Sequence, residues 1–257
     1  MGEPADPAVR YQVENGVGWI RLNRPHRRNA LGTELLEALR DTVRRAVRDV
    51  SARVLVLTGE GPAFCAGADV SDLARDGRGD ALGDDYEALV TALRSAPKPT
   101  IAALRGAIAG IGVSIALCCD LRVAAQDAFF RIAVADLGLT VDGGATWLLP
   151  RVIGTARTFE LCYTGRRLAA EEAERWGLLN RVVQTDDLEA AVRALAEPLA
   201  RGPGAALAAM KRSILHGQDA DFDDTVRFEL LLQRSLVRGA DFHEGVAAFL
   251  AKRPPVF

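Results

Sequence analysis

The chain has 257 residues, of which 49% are hydrophobic and 26% are charged, and its formal net charge is −2 at pH 7. That length suits one α/β core with a helical extension. The near-zero charge and the scattered arginines argue against nucleic-acid binding, and no apolar run reaches the roughly 18–20 residues of a membrane span. The four cysteines lack metal-ligand spacing and are typical of buried thiols in a reducing compartment. We therefore expect a cytoplasmic protein that has no metal and binds neither nucleic acid nor a membrane.

The first predicted elements are a loose tail over residues 1–8 and a β-hairpin. The tail is polar and contains proline, without the pattern of a targeting signal. The hairpin is predicted from the strand-like stretches Val9–Glu14 and Val17–Leu22, which flank an Asn-Gly pair. An Asn-Gly pair between two such stretches is a strong signal for a two-residue turn.

A helix over residues 34–49 follows, with Thr33 as the candidate cap of its first turn. Apolar residues spaced three and four apart predict its buried face. They are Leu35, Leu39, Val43, Ala46 and Val50. An apolar strand is predicted next, over residues 53–58.

The most informative segment is Phe64–Asp69, which reads Phe-Cys-Ala-Gly-Ala-Asp and follows the apolar strand. A strand, a tight turn of small residues and a helix start together present bare backbone N–H groups to an anion. The small side chains let a ligand approach the main chain closely. A second run of this type, Gly106–Gly112, follows the apolar stretch 101–104. We predict that N–H donors from both runs converge on one oxygen atom, as in an oxyanion hole.

Strands and helices alternate through the middle of the chain. Residues 70–84 are acidic and contain glycine, which predicts a mobile loop, and a helix near 85–95 follows. The helix Val113–Cys119 is apolar on every side and is therefore expected to be buried. The strand Leu121–Ala124 comes next. This alternation, which continues to about residue 185, is typical of an α/β fold.

Beyond that point the pattern is helical, with no convincing strand. The predicted helices are Leu188–Leu199, Gly204–His216 and Phe222–Leu250. Apolar residues at helical spacing beyond an α/β core are typical of packing or subunit contacts. We predict a core over residues 9–200 and a helical oligomerisation region over residues 201–257.

Five motifs in this order make the chain similar to the enoyl-CoA hydratase/isomerase (crotonase) superfamily from about residue 9 to 257. They are Leu22-Asn23-Arg24-Pro25 with Asn29-Ala30-Leu31; Ala63–Asp69; Arg105-Gly106 with Gly110-Ile111-Gly112 and Cys119-Asp120; Leu137-Gly138-Leu139 with Gly143-Gly144 and Leu149-Pro150-Arg151; and Glu244–Arg253. The resemblance implies a spiral of β-β-α units with a C-terminal trimerisation region. It further implies a homotrimer or a dimer of trimers that acts on an acyl-CoA thioester. Coenzyme A would be part of the substrate, and no other cofactor is implied.

The same resemblance assigns roles to individual positions. The oxyanion donors would be the backbone N–H groups of Ala68 and Ile111, which would stabilise the enolate charge on the thioester oxygen. The implied coenzyme A contacts are the Ala66 carbonyl at the adenine, Arg27 or Arg28 at the phosphates, and Phe249 and Lys252 over the coenzyme A of a neighbouring subunit.

Family hydratases activate water with two glutamates, and the matching positions here are Ser114 and Val134. Neither side chain is a general base at neutral pH, so hydration by that route is not expected. Asp142 instead matches the aspartate of family members that move double bonds, including those acting on epoxide or ring-opened phenylacetyl-CoA derivatives. A single carboxylate can carry a proton between two allylic carbons. Burial beside Val134, Val141 and Trp147 would raise its basicity.

The leading interpretation is therefore an acyl-CoA isomerase that uses Asp142 as its proton carrier. In this interpretation Trp147 is a pocket wall, and Ser114 is a small core residue that could touch the acyl group. Asp142 could instead be a helix N-cap. The alternative functions are hydration with an atypical water-activating residue and a catalytically silent acyl-CoA-binding protein. Dehalogenation of an aryl-CoA, with Asp142 as nucleophile, ranks below isomerisation.

Overall fold

Two sheets form the framework of the molecule. The computed structural model describes residues 6–72 and 79–257, without the side chains of residues 79–82. The strands are β1 (Val9–Glu14), β2 (Val17–Leu22), β3 (Val54–Gly59), β4 (Ala63–Cys65), β5 (Thr100–Leu104), β6 (Ala107–Ala109), β7 (Leu121–Ala125), β8 (Phe129–Arg131), β9 (Leu168–Ala169) and β10 (Arg181–Val183). The larger sheet has the order β1-β2-β3-β5-β7-β10, and the smaller sheet has the order β4-β6-β8-β9.

Besides a helical stretch at residues 70–72, ten helices pack around these sheets in the described part of the chain. They are α1 (Thr33–Arg48), α2 (Gly79–Arg94), α3 (Ile111–Cys118), α4 (Ala145–Ile153), α5 (Thr155–Thr164), α6 (Ala170–Arg175), α7 (Leu188–Ala200), α8 (Gly204–Gly217), α9 (Phe222–Leu236) and α10 (Ala240–Leu250). Short 3₁₀ turns occupy Pro25–Arg27, Val134–Leu137 and Thr185–Asp187. Within residues 6–72 and 79–257, no helix is long and apolar enough to cross a membrane.

A repeated unit relates the two sheets. β3, β5 and β7 pair in parallel in the larger sheet, and each is followed by a short strand, β4, β6 or β8, in the smaller sheet. Sequence periodicity did not predict the short strands, because two or three residues are too few to show alternation. Their parallel pairing brings the chain segments that follow β4 and β6 side by side. These segments are the two glycine-rich runs.

Both faces of the larger sheet are buried, which explains the uninterrupted apolar strands. Along β3, Leu55 and Leu57 pack into the main core, while Val54 and Val56 pack into a second core on the opposite face. This alternation follows the two-residue period of a strand. Helix α7 covers the second face. Each fully buried aliphatic side chain contributes about 1.5–3 kcal/mol to stability.

The predicted hairpin is confirmed with its predicted bounds, and residues Val9–Glu14 pair antiparallel with Val17–Leu22. The tail predicted over residues 1–8 is shorter than expected where the structure describes it. Ala8 is buried and its carbonyl accepts the backbone N–H of Asn23 at 2.8 Å. Residues 1–5 lie outside the described residues.

Three other element predictions need correction. The N-cap residue of helix α1 is Gly32, which has no side chain to cap the helix, so Thr33 is not the cap. Val50 lies beyond the end of the helix with 93% of its surface exposed, so it is not on the buried face. The loop predicted over residues 70–84 is wrong at residues 70–72, which are helical, and from residue 79 onward, where α2 begins; residues 73–78 lie outside the described residues. The single helix predicted over Phe222–Leu250 is two helices, with Gly239 as the N-cap residue of α10.

The C-terminal helices are held to the core by polar contacts. Nζ of Lys211 on α8 lies 3.0 Å from Asp120 Oδ1 at the end of α3. Arg53 donates to the Gly202 carbonyl at 2.6 Å and to the Phe257 carbonyl at 3.2 Å. In the described residues no strand follows β10, as the sequence predicted.

Candidate active site

The two glycine-rich runs touch one another at the ends of β4 and β6. A Cβ atom placed on Gly67 would lie 3.2 Å from the Ala109 carbonyl oxygen, and one placed on Gly110 would lie 3.6 Å from the Gly67 Cα atom. Both glycines have positive φ angles, of 101° and 49°, which residues with side chains rarely adopt. The backbone geometry therefore favours glycine at both positions, and at Gly67 the close approach to the Ala109 carbonyl adds to this requirement.

Each glycine is followed by a residue whose backbone N–H is available. No hydrogen bond among the described residues uses the N–H of Ala68 or Ile111 as donor. Ile111 is the first residue of α3, where N–H groups have no partner within the helix and the helix dipole is positive. Two free donors on neighbouring loops can hold one partly negative oxygen atom, and the role of these two N–H groups as oxyanion donors stays a prediction.

A buried asparagine fixes the first of these loops. The side chain of Asn29 is fully buried, donates to the Glu60 carbonyl at 3.0 Å and the Ala63 carbonyl at 2.8 Å, and accepts from the Arg24 N–H at 2.8 Å. Two residues later, the Leu31 N–H donates to the Gly67 carbonyl at 2.7 Å. Sequence analysis assigned Asn29 no role, although asparagine tolerates the left-handed backbone it has here, at φ 54°.

Asp69 ends the first loop and supports its conformation. Its carboxylate accepts hydrogen bonds from the backbone N–H and the hydroxyl of Ser71, and Arg27 Nη1 lies 3.0 Å away. The Ser71 hydroxyl is the main cause of a lowered Asp69 pKa. A carboxylate held in this way is a weak base, so its role is structural.

Asp142 lies on a loop that presses against the start of α3. The Ser114 hydroxyl on α3 donates to the Asp142 carbonyl at 2.8 Å. A Cβ atom on the next residue, Gly143, would come within 2.5 Å of the Ile111 Cδ1 atom. The loop is therefore fixed beside one of the two free N–H donors. Asp142 is not the helix cap that was one alternative, because Gly144 holds that position without a side-chain cap.

The surroundings of the Asp142 carboxyl favour its neutral form. Asp142 is exposed in the single chain and is not buried beside Val134, Val141 and Trp147 as expected, yet partial desolvation of its carboxyl by the surrounding protein raises its pKa above the ordinary value. The preceding residue, Val141, lines an apolar cavity of about 380 Å³ together with Val134 and Phe159. Asp142 is not among the residues that line this cavity; it follows Val141 in the chain, on the loop that packs against the Ile111 side chain.

Comparisons with known proteins agree with this geometry. The family model for enoyl-CoA hydratase/isomerase matches residues 12–257. The chain belongs to the enoyl-CoA hydratase/isomerase family. It is 42% identical over 251 residues to a probable enoyl-CoA hydratase of Rhodobacter capsulatus, with 97% of each chain covered. It is 41% identical to the 1,2-epoxyphenylacetyl-CoA isomerase of Escherichia coli, with 95% of this chain and 96% of that protein covered.

Solved structures of the family have the same fold. An enoyl-CoA hydratase from Bacillus anthracis matches with a TM-score of 0.94 at 32% identity, over 97% of this chain and 98% of that one. The fold is therefore the crotonase-like α/β fold with C-terminal helices that the sequence predicted. Members of this family act on acyl-CoA substrates.

The resemblance to the family matches Ser114 and Val134 with the two glutamates of its hydratases. Ser114 is fully buried, and its hydroxyl donates its hydrogen bond to the Asp142 carbonyl. Val134 begins the 3₁₀ turn Val134–Leu137 and lines the apolar cavity. The structure thus uses Ser114 to hold the loop of Asp142, and the predicted contact between Ser114 and an acyl group stays a prediction.

The Trp147 ring lies among cationic side chains, and its predicted role as a pocket wall stays a prediction. Two guanidinium groups lie over its ring, that of Arg151 at 3.7 Å from the ring centroid and that of Arg94 at 4.4 Å. The ring is absent from the lining of the cavity at Val134. Cation–π contacts of this kind stabilise the packing of α2 against α4.

The residues predicted to contact coenzyme A lie at two separate places. Ala66 is held in the first loop by its N–H bond to the Arg28 carbonyl at 3.0 Å, and Arg27 and Arg28 are exposed beside it. Phe249 and Lys252 are exposed at the end of α10. The structure brings the first three together near the free N–H groups.

Sequence analysis missed a tyrosine that faces Asp142. Tyr86 on α2 is buried, with 6% of its surface exposed, and lies at the start of the helix predicted near residues 85–95. Burial raises its pKa, and the negative charge of Asp142 adds to the shift. Its hydroxyl has no hydrogen-bond partner among the described residues. The Cys65 thiol is also protonated at neutral pH, because burial raises its pKa to about 12.

Proposed function

We propose that this protein shifts a carbon–carbon double bond of an enoyl-CoA through an enolate, with Asp142 as the proton carrier. The observation that carries the proposal is the position of Asp142, whose loop is fixed against Ile111 and whose pKa is raised by desolvation. The hydratase positions hold Ser114 and Val134 instead of glutamates.

The proposed reaction balances without water. The Asp142 carboxylate removes a proton from C2 of a 3-enoyl-CoA. The electron pair of the broken C–H bond is delocalised over C2, C4 and the thioester oxygen, which gives a dienolate. The N–H groups of Ala68 and Ile111 stabilise this dienolate more than the neutral substrate. The protonated Asp142 then returns the proton to C4, and the double bond ends between C2 and C3. One oxyanion donor is typically worth about 100–1000-fold in rate.

The apolar cavity supports a hydrocarbon or aromatic acyl group as the part that binds beside Asp142. Its lining contains Val134, Leu139, Val141, Phe159 and Tyr163. Burial of apolar substrate surface there contributes about 25 cal/mol per Å². The E. coli relative is named as an isomerase of 1,2-epoxyphenylacetyl-CoA, whose acyl group carries a six-membered carbon ring, and this name supports a ring-bearing acyl group.

Hydration is the second candidate, because the R. capsulatus relative is named a probable hydratase. To test this, the protein is incubated in deuterated water with a 3-enoyl-CoA and, in a separate reaction, with a 2-enoyl-CoA. The products of both reactions are analysed by mass spectrometry. We expect a 2-enoyl-CoA from the first substrate and no 3-hydroxyacyl-CoA from the second. A 3-hydroxyacyl product would favour hydration, and binding without either reaction would favour a silent acyl-CoA-binding protein.

We further propose that the chain assembles as a homotrimer or a dimer of trimers through its C-terminal helices. A cavity of about 950 Å³ lies among α8, α9 and α10. Large apolar side chains are exposed on these helices, namely Met210, Ile214, Phe222, Leu230, Leu231, Phe242, Val246, Phe249 and Leu250. Monomeric proteins rarely expose so extended an apolar surface. A sedimentation experiment that finds only monomers would contradict this proposal.

Within this assembly, Phe249 and Lys252 would close over the coenzyme A of a neighbouring subunit, whose Arg27 or Arg28 would bind the phosphates and whose Ala66 carbonyl would meet the adenine. Phe249 is 81% exposed in the single chain, so a contact in the assembly would bury most of its ring.

Replacing Phe249 by alanine should raise the Kd for coenzyme A about tenfold, because burying an aromatic ring contributes about 1.5–3 kcal/mol. Titration calorimetry measures the affinity, and sedimentation checks that the assembly is unchanged. Val256→Ala is the matched control, since Val256 is 80% exposed in the same tail. Equal affinities for both variants and the wild type would remove Phe249 from the coenzyme A site.

A further inference from the structure

A lysine with little exposed surface holds the C-terminal end of α3. The side chain of Lys211 on α8 is 9% exposed, and its ammonium lies 3.0 Å from Oδ1 of Asp120, the residue after the C-cap of α3. The ammonium also donates to the Thr100 hydroxyl at 3.4 Å and to the carbonyls of Leu93 at 3.5 Å and Lys98 at 3.3 Å. One cation thus joins the C-terminal helices to α2, β5 and α3.

The other oxygen of the Asp120 carboxylate ties the same end of α3 to the start of β5. Asp120 Oδ2 accepts the Thr100 N–H at 2.8 Å, and the Asp120 N–H donates to the Thr100 hydroxyl at 3.0 Å. Thr100 is the first residue of β5 and is 1% exposed. Apolar packing is not directional, whereas hydrogen bonds and ion pairs are. These contacts therefore fix where α3 lies along its own axis.

Stability alone does not account for the lysine. Holding an ammonium largely out of water costs free energy, and a methionine side chain would fill the same space without that cost. The best-attested use of such an ion pair is to fix the register of packed elements. All eight residues of α3 are buried, and most of them are apolar. The pair of Lys211 and Asp120 accordingly supplies a directional anchor that the packing of α3 lacks.

The opposite end of the same helix begins at Ile111, whose N–H is a predicted oxyanion donor. Eight residues make a rod of only about 12 Å, so a shift at one end of α3 moves the other. The first turn has little room to move, because a Cβ on Gly112 would come within 2.8 Å of the Cys65 carbonyl oxygen. A donor group of this kind must be held to within about 0.5 Å of its working position.

We propose that Lys211 is a positioning residue, which fixes α3 through Asp120 and so sets the strength of the hydrogen bond from the Ile111 N–H to the thioester oxygen. This inference rests on the proposed function for the role of that N–H. It makes the oxyanion site dependent on α8, which also exposes Met210 and Ile214 in the region proposed for assembly. The C-terminal helices thus influence the reaction without touching the acyl group.

The test uses Lys211→Met, which removes the ammonium and keeps an apolar stem. The full-length protein binds hexanoyl-CoA, which is saturated and carries ¹³C at the thioester carbonyl, and infrared difference spectroscopy measures the carbonyl stretch. Hydrogen bonds lower this frequency. We expect the wild type to lower it on binding, and Lys211→Met to lose at least half of the shift with little change in Kd. The kcat of isomerisation should fall about tenfold, less than the roughly 100–1000-fold of a lost donor.

Lys98→Met is the matched control, since the Lys98 ammonium donates to the carbonyls of Ala46 at 3.0 Å and Asp49 at 2.6 Å, at the end of α1. It should keep the carbonyl shift. If Lys211→Met does not fold, Lys211→Met combined with Asp120→Asn removes both charges and should show the same loss.

A full carbonyl shift in Lys211→Met overturns the inference, and so does an equal loss in Lys98→Met. A wild type without any shift would contradict the role of the Ile111 N–H and this inference with it. The readout is binding, so a shift that depends on Lys211 in a protein that isomerises no enoyl-CoA would support Lys211 and contradict the proposed function.

Discussion

Replacing Asp142 by asparagine should lower the rate of double-bond migration at pH 7 by about 100- to 10,000-fold, the range typical of a lost general acid–base group. The affinity for acyl-CoA should change little, because asparagine has nearly the same size and the loop is held through the backbone carbonyl of residue 142 by Ser114. Initial rates with a 3-enoyl-CoA measure the first effect, and calorimetry with a saturated acyl-CoA measures the second.

The pH dependence of the wild type follows from the environment of Asp142. Desolvation raises the pKa of its carboxyl above the ordinary value near 3.8. The reaction begins with the ionised form, so kcat/KM should fall as the pH is lowered through this raised pKa and should level off above it. In Asp142→Asn this acidic limb should disappear from the residual activity.

The same shift has a consequence for stability. A carboxyl whose pKa is higher in the folded protein than in the unfolded chain favours folding while it is protonated, and it loses that contribution as the pH rises through the folded pKa. At pH 7 the ionised Asp142 carboxylate therefore lowers the free energy of unfolding. Asp142→Asn should accordingly melt at the same temperature as the wild type or slightly higher at pH 7.

Asp136→Asn is the matched control for this prediction. Asp136 lies six residues earlier in the same loop region, its side chain is 71% exposed, and it lies 3.7 Å from Arg131. It should keep the activity of the wild type. Equal rates for Asp142→Asn and the wild type would show that another group carries the proton.

The parts of this site that the sequence predicts are those that depend on local backbone chemistry. The two glycine-rich runs were assigned because glycine and alanine after an apolar strand indicate a close approach to the main chain, and Gly67 and Gly110 do meet. The resemblance to a family then supplied Asp142, which no periodicity singles out. These predictions needed only residues adjacent in sequence or in a motif.

The parts that the sequence did not predict depend on contacts between distant segments. The bond from Ser114 to the Asp142 carbonyl joins residues 28 apart, and no local pattern encodes it. Tyr86 was overlooked because it stands among Asp84, Asp85 and Glu87, which indicate a solvated surface. On the helix, Tyr86 faces the core, while Asp85 faces Arg40 and forms an ion pair with it.

Replacing Gly106 by alanine should destabilise the protein more than any other single methyl group added to the two loops. The backbone at Gly106 has a φ of 52°, and a Cβ atom there would overlap the Pro62 carbonyl oxygen. That oxygen belongs to the main chain just before β4, so it cannot move aside as a side chain could. The Gly106 carbonyl also accepts the Phe129 N–H at 2.8 Å, which ties the position to β8.

The expected loss is about 3–5 kcal/mol, of which the left-handed backbone accounts for about 1–2 kcal/mol and the overlap for the rest. For a chain of this size, this corresponds to a fall in Tm of about 10 °C, measured by circular dichroism. Gly138→Ala is the matched control, since Gly138 has a φ of 69° and no atom lies within 4 Å of an added Cβ. Its free energy of unfolding should fall only by the contribution of the left-handed backbone, about 1–2 kcal/mol. Similar losses in the two variants would mean that the contact between the start of β4 and Gly106 does not hold the loops together. A much larger loss in Gly106→Ala, with activity falling below that of the control at 25 °C, would show that the spacing of β4 and β6 sets the distance between the two N–H donors.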